Sequence, residues 1–127
     1  MRLQIGLSRH CSINYLLECL EHFWGHNIFY SIDLYGDEFA QPIEFLKINH
    51  IRLNITPTSN VKLGRIQELK THPIRELYRS GIDLTINSDD ILIFDSDISK
   101  EYLRLYEAET LTAEELDNIR INGLRRL

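Results

Sequence analysis

The sequence predicts an α/β fold built on a parallel sheet, and three observations predict it. Short runs rich in β-forming residues recur at Leu3 to Leu7, Ile28 to Asp33, Ile51 to Thr56 and Asp83 to Ser88. They alternate with segments whose apolar residues fall at helical spacing, the order expected of βα units. The last run closes on Asp89-Asp90, and the carboxyl edge of a parallel sheet is where α/β proteins place their chemistry.

The elements follow in order. After the first run, Ser12 is a helix N-cap. Ile13, Leu16, Leu17, Leu20, Phe23 and Trp24 form an apolar stripe, and Gly25 is the stop. Between the second and third runs, Pro42 to Asn49 holds little more than two helical turns. A parallel crossover needs roughly ten to twelve residues, and Gly36 to His50 barely supplies them, although every other crossover is comfortable. The next helix opens at Thr71-His72-Pro73 with proline in its first turn, turns Ile74, Leu77 and Tyr78 inward, and ends at Ser80-Gly81. Another starts at Ser99 and buries Leu103, Leu105 and Tyr106 in part. The last has a capping box, Thr112 with Glu115, and a hydrophobic staple, Leu111 with Leu116. Ile119 and Leu124 extend its apolar face. No internal repeat and no linker divides residues 1–127, so they read as one domain.

Composition narrows the function classes. The chain is 43% apolar and 26% charged, with a net charge of −5 and no concentrated basic patch beyond Arg125-Arg126. A phosphate-tracking surface, and with it general nucleic-acid binding, is not expected; a small nucleoside is compatible. No stretch approaches the roughly 18 apolar residues of a membrane span, and Met1-Arg2 leads into no signal-like segment, so a cytoplasmic protein without membrane contact is expected. Cys11 and Cys19, eight residues apart around a helix, would have Cα atoms about 12 Å apart. That separation is too long for a disulfide, and free thiols are expected.

Among candidate sites, Asp89 and Asp90 stand first. Adjacent strand residues point to opposite faces, so one carboxylate can face a metal while the other faces a substrate or the backbone. The plainer alternative is a turn, or a cap on the next helix. His22 and His26 lie at i, i+4, but Gly25 separates them and no glutamate follows His22, unlike a zinc-binding helix. His10 ends a strand, His50 precedes one, and His72 sits where it can cap a helix. Thr56-Pro57-Thr58-Ser59-Asn60 follows a strand as a hydroxyl-rich loop that either lines a polar pocket or makes an ordinary turn. Gly36, just past a strand, allows close backbone approach to a ligand or simply a tight turn. No nucleophile elbow, dinucleotide fingerprint or P-loop occurs.

Taken together, three segments resemble the adenosine deaminase family of zinc-dependent hydrolases. They are Ser31-Ile32-Asp33-Leu34-Tyr35-Gly36-Asp37-Glu38; Asn54 to Val61 with Gly64 and His72-Pro73-Ile74-Arg75; and Thr85-Ile86-Asn87-Ser88-Asp89-Asp90. The tail, with Glu101-Tyr102 and Leu111 to Glu115, is similar too. Their order is that of the family's carboxyl-terminal half. The resemblance implies a partial (β/α)8 TIM barrel, here with about four parallel strands alternating with helices. It also implies a zinc site at the carboxyl-terminal mouth and adenosine or a related purine nucleoside as partner. It matches Asp89 to the zinc-ligating aspartate, Asp90 to the acid that accepts a hydrogen bond from the purine ring, and Gly36 to the glycine whose backbone meets the purine.

The departures carry equal weight. The chain has no His-x-His, no His-Ala-Gly-Glu and no Gly-His-Gly, so the histidine ligands, the catalytic glutamate and the charge-stabilising histidine of the family have no counterparts. No catalytic residue is therefore assigned. The missing strands fall before Met1 and inside the compact crossover, which places an internal deletion near Pro42 to Glu44. The expectation is an adenosine deaminase-like chain that is inactive in isolation. The alternative is a non-catalytic purine-binding or protein-interaction module, and open sheet edges predict self-association. A receiver-type phosphoacceptor domain would carry its acids after the first strand, not the fourth.

Overall fold

The computed structural model describes residues 3–7, 14, 15, 18, 28–32, 40–48, 50 and 52–125. Strand β1 (Leu3–Leu7) pairs in parallel with β2 (Ile28–Ile32) along its whole length, from Leu3↔Ile28 to Leu7↔Ile32. Asn14, Tyr15 and Glu18 are helical, as the first apolar stripe predicts. The rest of that helix lies outside the described residues, as do Cys11, Cys19, His10, His22, His26 and Gly36. Helix α1 (Ala40–Ile48) leads to β3 (Leu53–Ile55), followed by α2 (Pro57–Lys62), a 3-10 turn (Leu69–Thr71) and α3 (Ile74–Arg79). Then come β4 (Leu84–Ile86), α4 (Ile91–Phe94), α5 (Ile98–Glu107) and α6 (Ala113–Leu124). The sheet order is β1-β2-β3-β4, every pair parallel. This is the parallel sheet that the alternation of elements predicts, open at four strands as in the partial barrel that the family resemblance implies.

The two faces of β3 and β4 differ in chemistry. In register, Leu53 meets Leu84 and Ile55 meets Ile86, and all four are buried. They form one core with Leu46 of α1, Ile74 and Leu77 of α3, Leu105 of α5, and Leu116 and Ile119 of α6. Each such side chain contributes roughly 1.5–3 kcal/mol of transfer free energy. Strand alternation turns Asn54, Thr85 and Asn87 to the other side. There Thr85 Oγ1 donates to Asn54 Oδ1 (2.7 Å) and Asn87 Nδ2 donates to Thr85 Oγ1 (2.8 Å). Parallel sheets usually bury apolar residues on both faces; here the second face of β3 and β4 is a polar ladder.

Helix ends follow the local code closely. Gly64 and Gly81 have φ of +69° and +84°, the left-handed region where a Cβ is disfavoured. Each closes a helix by paired bonds: Gly64 N to Val61 O with Arg65 N to Asn60 O, and Gly81 N to Tyr78 O with Ile82 N to Leu77 O. The expected capping box is formed, with Thr112 Oγ1 accepting from Glu115 N and Glu115 Oε2 accepting from Thr112 N (2.8 Å). The Thr112 backbone N–H, aided by Arg79, holds the Glu115 carboxyl below its ordinary range. Thr112→Ala is expected to lower unfolding free energy by about 1 kcal/mol, read as a shifted urea midpoint at constant m. An unchanged midpoint would show that α6 is held by packing alone.

The apolar faces of two helices differ from expectation. In α5 the inward stripe is Glu101, Tyr102 and Leu105, while Leu103 and Tyr106 are exposed. Asp97, two residues earlier than the expected start, caps α5 by accepting from Lys100 N, and the packing of Tyr102 and Leu105 on the core fixes the inward face. Leu124 at the end of α6 is 74% exposed, because the inward positions there are Leu116 and Ile119. At the opposite end of the sheet, Arg52 Nε reaches Asp83 Oδ2 (3.0 Å) and its Nη2 reaches Asn122 O (2.9 Å), tying β3, β4 and the end of α6 together. Among the described residues no helix is long and apolar enough to cross a membrane.

Candidate functional site

The carboxyl ends of β3 and β4 bring the candidate residues together. Asn87 N donates to Ile55 O (2.8 Å), which aligns the two strand ends before the chain enters Ser88-Asp89-Asp90. Asp89 Oδ2 accepts from Ser59 Oγ (2.8 Å), and Asp89 Oδ1 accepts from Asp90 N (2.8 Å). Asp90 Oδ1 accepts from Leu92 N (2.9 Å) and Ile93 N (3.0 Å), which makes Asp90 the N-cap of α4. Asp90 thus takes the helix-capping role of the plainer alternative, while Asp89 faces a neighbouring βα junction. Both side chains are exposed at the lip, beside exposed Ile91, Leu92 and Ile93.

The Thr56–Asn60 segment is not the loop expected from its composition. Pro57 opens helix α2, and Pro57, Thr58, Ser59 and Asn60 are all buried. Proline pre-sets the first turn, so a hydroxyl-rich stretch enters a helix. Thr56 makes no side-chain cap bond. The orphan amide of Thr58 is satisfied instead from a distance, by Oε2 of Glu101 on α5 (3.0 Å). The other Glu101 oxygen accepts from Ser96 Oγ (2.6 Å), and Glu101 is 1% exposed. Arg104 Nη1 donates to Thr58 Oγ1 (3.2 Å) and Nη2 to Asp95 O (3.0 Å). Lys62 Nζ donates to Phe94 O, so basic side chains hold the last carbonyls of α4.

His72 holds the far side of α2. Its Nδ1 accepts from Ile74 N (3.0 Å), so the ring proton sits on Nε2, which donates to Asn60 Oδ1 (3.0 Å). This is the helix-start capping role its position suggested. Burial pushes its pKa down to about 4, and the ring is neutral. Ser59 is therefore flanked by two buried anchors, Glu101 through Thr58 and His72 through Asn60. Sequence reasoning missed both partnerships and the Ser59–Asp89 bond. The available signal was Glu101 lying on the same helical stripe as Leu105.

The described residues do not make a zinc site. Catalytic zinc takes three protein ligands and an open position. Asp89 is one ligand of the right type, and among the described residues no group of three His, Cys, Asp or Glu side chains comes together to hold a metal. His72 has both ring nitrogens in use, and exposed His50 lies before β3, at the other end of the strand.

A family profile for adenosine deaminase matches residues 13–126. The chain belongs to the adenosine deaminase family. An adenosine deaminase of Plasmodium gallinaceum is 44% identical over 64 residues, which cover 50% of this chain and 18% of that protein. An adenine deaminase of a Marinomonas species is 33% identical over 82 residues, 65% of this chain and 24% of that one. The crystal structure of an adenine deaminase from Arthrobacter aurescens superposes with a TM-score of 0.63 at 16% identity, over 95% of this chain and 54% of that chain. At that identity the likeness shows the fold: a partial TIM barrel. The chain spans about half the length of that deaminase structure. Within this adenosine deaminase-like chain, Asp89 and Asp90 lie at the carboxyl end of β4, while Gly36 lies outside the described residues.

Proposed function

We propose that this adenosine deaminase-like chain keeps the purine-facing lip of the family's site and does not deaminate adenosine by itself. The observation that carries the reading is the arrangement of Asp89-Asp90 at the end of β4. In it Asp90 spends Oδ1 on capping α4, and Oδ2 has no partner among the described residues. That oxygen is free to accept a hydrogen bond from a ligand N–H, the exocyclic amine of adenosine or the ring N–H of free adenine. Exposed Ile91, Leu92 and Ile93 supply apolar surface beside it for the ring face. Gly36 is proposed as a backbone contact to the base, and Asp89 as a remnant zinc ligand too poorly accompanied among the described residues to hold zinc tightly. Adenosine and adenine are the ligand classes in view, and the cytoplasm the compartment.

An internal deletion near Pro42 to Glu44 fits the same reading. Between the parallel strands β2 and β3 the connection is short, with α1 as the one helix among its described residues, and that compact crossover supports a junction where strands of a larger barrel have been removed.

The test combines turnover and calorimetry. With zinc added, the purified chain is expected to convert no adenosine to inosine above host background, yet to release heat with millimolar adenosine or adenine. Asp90→Asn, which keeps the capping oxygen, is expected to weaken that binding by about tenfold, the scale of a lost charged hydrogen bond. Turnover abolished by Asp89→Ala would overturn the inactive reading. Absence of heat would end the purine reading and leave a protein-interaction module.

A further inference from the structure

The amino ends of β3 and β4 lie at the far end of the sheet from Asp89-Asp90, and the purine reading makes no use of them. A cavity of about 680 Å³ opens there, within the range that small ligands fill. His50 and Arg52 line it from the approach to β3, Arg79 from the end of α3, and Arg125 from the end of α6. Gly81 forms part of the wall, and a Cβ there would stand 3.7 Å from Lys47 Cε. The Lys47 stem therefore runs along that glycine and brings a fifth basic side chain to the rim. These residues are scattered over positions 47 to 125, and only the fold gathers them, on a chain of net charge −5.

The cluster is not neutralised from within. Asp83 is spent on Arg52 Nε (3.0 Å) and Glu115 on Arg79 Nε (3.0 Å). Among the described residues the side chains of Lys47, His50 and Arg125 make no hydrogen bond or ion pair. Arg52 is held in place as well, since Nη2 donates to Asn122 O (2.9 Å) and Nη1 to Arg125 O (3.5 Å). A guanidinium fixed at three points loses little freedom when it takes a further acceptor. We propose that this cavity binds the phosphates of a polyphosphate-bearing small molecule, either a free polyphosphate or a nucleotide. Phosphate oxygens are strong acceptors that match arginine forks and lysine charge. Cations drawn from four segments around a cavity of this size suit a chain of phosphates better than a single one. The inference does not depend on purine binding at Asp90.

Isothermal calorimetry with pyrophosphate, at low ionic strength and without divalent cations, tests it. The expected result is saturable binding that millimolar adenosine, which lacks phosphate, does not displace. Lys47→Ala combined with Arg125→Ala is expected to weaken it by at least about tenfold. Circular dichroism should stay unchanged, since both side chains are exposed and make no bond among the described residues. Lys70→Ala combined with Lys100→Ala removes the same charge from exposed positions outside the cavity and is expected to leave binding intact. ADP distinguishes the sources: tighter binding than pyrophosphate assigns a nucleotide, and equal or weaker binding the free polyphosphate. No saturable heat, displacement by adenosine, indifference to the cavity pair, or equal weakening by the control pair would each overturn the proposal.

Discussion

Glu101→Ala is expected to cost the fold about 3 kcal/mol, the sum of two donors left without an acceptor in a dry environment. Glu101 is buried in the first turns of α5, where its carboxylate also benefits from the positive end of the helix. Removing it strands Thr58 N and Ser96 Oγ, which it now accepts from at 3.0 and 2.6 Å. Water cannot readily replace it at that depth. Glu101→Gln keeps one acceptor oxygen and is expected to cost about half as much; Ser96→Ala, which removes a donor together with its need, about 1 kcal/mol. Urea denaturation of the three variants checks the order. Equal losses for Ala and Gln would mean that the site demands charge rather than acceptors. No loss for Ala would mean that α2 is held by packing. Because Thr58 precedes Ser59, the same variant should loosen the hydroxyl that bonds Asp89, so a stability defect and a disturbed acid pair are expected together.

Acidification is expected to remove about 3 kcal/mol of stability between pH 6.5 and pH 4 through His72. The sign follows from the proton balance. The folded ring has its pKa lowered to about 4 by burial, against an ordinary value of 6.5. Between those values the unfolded chain binds a proton that the folded chain refuses, so stability is complete above pH 6.5, falls as pH drops, and levels off below about 4. The distance between 6.5 and about 4, at roughly 1.36 kcal/mol per pH unit, sets the size. Protonation would also place a proton on Nδ1, which now accepts from Ile74 N, and so break the start of α3. His72→Asn offers an oxygen near the Nδ1 position and an amide that does not titrate. Its stability profile is expected to be flat across this window, apart from other groups. If the slope survives in that variant, another titrating group carries it.

Much of the architecture was legible before any coordinates, because it is written in short-range chemistry. The four β-rich runs became four parallel strands, the first over its whole run and the third and fourth trimmed by one or two described residues at each end. The Thr112–Glu115 box, the Ser80-Gly81 stop and the His72 cap formed as their residue types dictate. The hydrophobic stripe of α5 was less legible. Leu103 and Tyr106 are apolar and suggest an inward face, yet the packing of Tyr102 and Leu105 on the core turns them outward and buries Glu101. Hydrophobicity alone cannot reveal a glutamate that is buried because its acceptors meet distant donors. The Thr56–Asn60 stretch misled for the same reason, since its helix depends on an acceptor 43 positions away.

What the sequence by itself determined is therefore the class of fold, the order of its units and the family. These rest on periodicity, capping residues and motif identity, all properties of neighbouring positions. Only the tertiary structure decided which residues work together: Ser59 with Asp89, Thr58 and Ser96 with Glu101, Asn60 with His72. Those pairs bridge 12 to 43 positions, apart from Ser96 with Glu101 at five. Each is set by where buried donors and acceptors must find one another once water is excluded, a condition that exists only after the helices have packed on the sheet.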